Sequence, residues 1–107
     1  MNRSEFNLLV KERFKKCAKL LDVKGDEYAS DLNESRFIAF HAAARMDNET
    51  AAQALWGMWK KHIVSIQDII KNDKYITRDM LDEKINDMIN YPVLLEGVLT
   101  ERGRVIE

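Results

Sequence analysis

Residues that reverse a chain are scarce here: 107 residues contain one proline and four glycines. A fold of many short strands needs such residues at every turn, so the chain is limited to a few long elements. The hydrophobic spacing says which kind. Phe6, Leu9, Val10, Phe14, Cys17, Leu20 and Leu21 step by three and four, the signature of a helix face. Ser4 is placed to cap that helix. Residues 23–34 break the period and read as a loop. Residues 35–46 restore it, with Phe37, Phe40, His41 and Ala44 along one side.

Thr50-Ala51-Ala52-Gln53 has capping-box spacing and opens a third helix, with Leu55, Trp59, His62, Ile63, Ile66, Ile69 and Ile70 on its inner face. After a polar break at 72–76, Thr77 starts a fourth helix, with Asp79, Asp82 and Glu83 near its positive end. Its apolar stripe is Leu81, Ile85, Met88, Pro92, Leu95 and Leu99. Pro92 removes one backbone bond and is expected to bend the helix. The prediction is therefore an all-α, antiparallel bundle of about four helices in one domain. A leading helix (1–22) and a loop (23–34) precede the bundle core (35–101), and the tail (102–107) is expected to fray. Met80, Tyr91, Leu94 and Val98 widen the apolar arc of the fourth helix and suggest a homo-oligomer interface.

Composition narrows the function. Seventeen basic residues against eighteen acidic ones give a net charge of −1, without the basic excess typical of a nucleic-acid-binding module. A single cysteine, Cys17, fits a reducing compartment, and no apolar run is long enough to cross a membrane. A cytoplasmic protein is expected.

The polar ridges carry the candidate chemistry. Glu83, Asp87 and Asn90 recur at i, i+4 and i+7 on the fourth helix, and Asp87 falls among apolar neighbours. A carboxylate there must be paired, metal-bound or at an interface. Oxygen ligands at this spacing suit Mg²⁺ or Mn²⁺, whereas pairing with a lysine is the structural alternative. Lys61, Ser65 and Asp68 form a similar ridge on the third helix, with His62 nearer the buried side. His62 and His41 read by default as hydrogen-bonded core residues, Cys17 as core packing, and Trp56 with Trp59 as a packed aromatic pair. Lys24-Gly25-Asp26-Glu27-Tyr28 is either an ordinary polar turn or a loop offering Tyr28 to a base and Lys24 to a phosphate.

Lys24-Gly25-Asp26-Glu27-Tyr28-Ala29, Arg36-Phe37 with Phe40 and Ala43, Gln53-Ala54-Leu55-Trp56-Gly57-Met58 with Lys61-His62, and Glu83-Lys84-Ile85 with Asp87, Asn90 and Tyr91 together resemble a family of small phage and prophage proteins. The last string is also similar to the end of the nucleotide-modification-associated phage domain. More remotely, it resembles the second metal-binding helix of MazG-like all-α nucleotide pyrophosphohydrolases. That resemblance implies a MazG-like bundle in the cytoplasm of a bacterial host, with Mg²⁺ held by acidic pairs on two successive helices. Glu83 and Asp87 match the second pair, but Lys61 and Ser65 stand where the first would lie. Ala39 and Pro92 depart from the phage pattern as well. The implied function is binding of a nucleotide or nucleotide-derived signal without efficient hydrolysis. Lys24, Tyr28, Lys61, His62, Ser65 and Asn90 are the expected ligand contacts, and Glu83 and Asp87 the expected metal ligands. The alternative is an oligomeric interaction protein that inhibits or scaffolds a host or phage protein.

Overall fold

The computed structural model describes residues 1–29, 31–32 and 34–107. It contains four helices: α1 (Arg3–Tyr28), α2 (Ile38–Met46), α3 (Ala51–Lys71) and α4 (Arg78–Glu101). No strand occurs among the described residues. The all-α bundle expected from the periodicity is present. None of the helices is long and apolar enough to cross a membrane.

The start signals act locally. Thr50 closes a full capping box: its hydroxyl accepts from the Gln53 amide N–H at 3.2 Å, and the Gln53 side chain accepts from the Thr50 N–H at 2.9 Å. Thr77 caps α4 by accepting from the Met80 N–H. For α1 the cap is Asn2, which accepts from Glu5 N–H, and Ser4 lies inside the helix. The expected loop also begins later than its sequence suggests. The segment from Lys24 to Tyr28 is helical, and the break starts after it. α4 runs through Pro92 as one element, and Pro92 is on its exposed side. It ends where Gly103 takes a left-handed φ of +66°, which lets the Arg104 N–H reach back to the Leu99 carbonyl at 2.9 Å.

α4 is the central element, with α1 and α3 packed on it and α2 packed on α3. α3 and α4 are antiparallel, since Leu55 shares a core with Val98 while His62 meets Asp87. α1 runs in the same direction as α4: Arg13 reaches Asp82 and Asn86, and Cys17, further along, reaches Asn86 and Asn90. The core gathers Phe40, Ala51, Leu55 and Val98, with Phe37, Tyr91, Leu94 and Leu95 against it. The apolar flank of α4 expected to face another chain is thus mostly interior. Val98 is fully buried, Tyr91 and Leu94 pack on the core, and only Met80 is exposed. Conversely, Ile70, expected inside, is exposed.

The seam between α1 and α4 is polar. Arg13 donates to Asn86 Oδ1 at 2.8 Å and to Asp82 Oδ1 at 2.7 Å, and Cys17 Sγ lies 3.4 Å from the same Asn86 oxygen. Paired in this way, the buried Asn86 does not carry the desolvation cost of an unsatisfied amide. Burial raises the Cys17 thiol pKa, with Arg13 opposing it, so Cys17 acts as an inert packing residue.

Candidate functional site

The last turns of α1, the start of α2, Met58 of α3 and the middle of α4 line a cavity of about 350 Å³. That is within the range of small-molecule sites. Its wall includes Lys24, Tyr28, Arg36, Phe40, Asp87, Asn90, Tyr91 and Leu94. Continuation of α1 through Tyr28 forms this wall, because Leu20, Leu21, Lys24 and Tyr28 then share one helix face.

Arg36 is fixed from three sides. Its guanidinium lies 5.8 Å from the Tyr28 ring centroid, and Nη2 donates to the Leu21 carbonyl at 3.3 Å. It also passes close to Gly25, where a Cβ would sit 3.0 Å from the arginine Nε. The glycine therefore gives the cation room to lie against α1. Lys24 adds a second cation and pairs loosely with Glu27 at 3.7 Å.

Asn90 is buried, and its amide nitrogen donates to the Cys17 carbonyl at 3.4 Å. An acceptor at that position requires the NH₂ end of the amide to face it, which leaves Oδ1 on the other side. Among the described residues Oδ1 has no hydrogen-bond partner. A buried carbonyl without a donor is costly in a native protein. Asn90 is among the residues lining the cavity, with this oxygen itself closed off from solvent.

A third group links α3 to α4. His62 Nδ1 lies 3.2 Å from Asp87 Oδ2, and His62 Nε2 lies 3.3 Å from the Tyr91 hydroxyl. Tyr91 is stacked on Trp59 at 6.2 Å and 8°, which holds the phenol in place. Burial raises the Asp87 pKa, with His62 opposing and Glu83 adding to the rise. Burial also raises that of Tyr91, reinforced by Asp87. The carboxylate that the sequence leaves without an obvious partner is therefore half-buried and held by an imidazole.

The cavity wall brings together Lys24, Tyr28 and Asn90 of the expected ligand contacts, with His62 one bond behind Asp87. Lys61 and Ser65 are not among its lining residues. Among the described residues, no three His, Cys, Asp or Glu side chains come together to hold an ion. Mg²⁺ prefers an octahedral oxygen set. Glu83 is exposed, and the Asp87 oxygen facing α3 already meets His62. Arg36 is the contact that the ridge spacings do not reveal. Only the folded approach of Arg36 to Gly25 and Tyr28 places it in the wall.

Compared with protein-family models, curated proteins and solved structures, the chain matches none of them.

Proposed function

We propose that this protein binds a small, anionic, nucleotide-like ligand in the cavity lined by all four helices and does not hydrolyse it. The observation that carries the reading is the convergence of complementary groups in one cavity of suitable size. Arg36 and Lys24 favour phosphate oxygens, Tyr28 and Phe40 offer aromatic surface, and Asn90 adds a polar side chain to the wall. Asp87, tethered to His62, is an acceptor at the wall. The reading of binding without turnover is supported by the sequence, where Lys61 and Ser65 stand in place of the first acidic pair of MazG-type enzymes.

A thermal-shift screen of nucleosides, nucleoside phosphates and cyclic or linked nucleotides tests this, run with and without Mg²⁺. A true ligand at ~100 times its Kd stabilises the fold by roughly 2.7 kcal/mol. The expected result is stabilisation by at least one phosphorylated nucleoside, undiminished when Mg²⁺ is withheld and lost in Arg36→Gln. Stabilisation that requires Mg²⁺, with pyrophosphate release, would replace this reading with an enzymatic one.

A further inference from the structure

We propose that the first half of α1 is a self-association surface on which a second copy of this chain docks antiparallel across a two-fold axis at Val10. The chain exposes 8236 Å², whereas a folded monomer of this mass typically exposes about 6,200 Å². The excess of about 2,000 Å² per chain is on the scale of an obligate homodimer interface.

The position of that surface follows from the exposed side chains. The cavity uses only the last turns of α1, and α4 covers it from about Arg13 onward. Ahead of that contact Phe6 is 53% and Leu9 42% exposed, and Phe14, at its edge, is 59% exposed. Phe6, Val10 and Phe14 occur at i, i+4 and i+8, so they form one ridge on the helix. Met80, at the nearby start of α4, is exposed as well.

The ridge also indicates its occupant. Its pattern is symmetric about Val10: phenylalanine four residues before, phenylalanine four residues after. An antiparallel copy therefore sets Phe6 against the partner's Phe14 on both sides of the axis and brings the two Val10 side chains together. A surface that complements itself under a two-fold rotation is what an isologous dimer requires. The near-zero net charge leaves little repulsion to oppose the pairing.

Light scattering on the intact chain at micromolar concentration tests the proposal, with a mass of about twice the 12.5 kDa chain expected. Phe6→Glu combined with Phe14→Glu should halve that mass and leave the helical circular dichroism unchanged, because both side chains are exposed. Val10→Cys provides a check that does not depend on disruption. Mild oxidation should link two Val10→Cys chains much faster than two Met46→Cys chains. A monomeric native chain would overturn the proposal. So would a dimer that persists in the double variant, or cross-linking no faster at position 10 than at 46. A monomer that sediments with phosphatidylserine vesicles through the same phenylalanines would also overturn it, by assigning the ridge to a lipid surface.

Discussion

Two aspartates one helix turn and a little more apart show how neighbours decide the role of a residue. Asp82 is held by Arg13 and Lys16, and the Arg13 hydrogen bond lowers its pKa. Its stabilising contribution is therefore present above the ordinary carboxylate range and lost as pH falls through the depressed folded value. Asp87 has the opposite sign. Burial raises its pKa, so its ionisation weakens the fold as pH rises from the ordinary range through the raised value. Asp82→Asn should lower the urea midpoint at neutral pH, with the difference closing in strong acid. Asp87→Asn should leave the neutral-pH midpoint unchanged or raise it while weakening ligand binding. A fall equal to that of Asp82→Asn would make Asp87 a structural residue. The ridge spacing made Asp87 and Asn90 visible in the sequence, because a polar residue among apolar neighbours stands out on a helical wheel. The His62 partnership was not visible, since it depends on the register between α3 and α4.

At the scale of elements, the local signals were the most legible. The Thr50 capping box forms as spaced, and Thr50→Ala should cost about 1 kcal/mol in chemical denaturation. The end of α1 was misleading because glycine and two acids in succession look like a turn. Gly25 costs the helix roughly 0.5–1 kcal/mol, but the helix persists and Gly25 faces Arg36. Gly97 is a second glycine set by a neighbour. A methyl there would overlap the Phe37 ring at the α2–α4 contact. Overpacking typically costs about 1–3 kcal/mol, more than the roughly 0.5–1 kcal/mol of helix propensity gained. Gly97→Ala should therefore lower the melting temperature despite being helix-favouring. Pro92→Ala should raise stability by about 1–3 kcal/mol in the same assay, because it restores a backbone donor inside an exposed helix face.

For the whole molecule, periodicity gave the class and helix count, but it could not say which apolar arc of α4 turns inward. Val98 and Leu94 lie beside the regular four-and-three stripe, and they face the core because α2 and α3 together supply the residues packed on that side. The radius of gyration is 16.0 Å, against about 13 Å for a typical domain of this length. The chain is open as well as helical, and all four helices contribute to the lining of its cavity. The most direct test of the binding claim uses the indole already stacked on the cavity wall. Trp59 packs on Tyr91, so a ligand seated against Tyr91 should change tryptophan emission. Titration of the intact protein with the nucleotide that gives the largest thermal shift should produce a saturable change without Mg²⁺. In Arg36→Gln that change should weaken at least tenfold. No saturable change, or an identical curve in Arg36→Gln, would contradict the account.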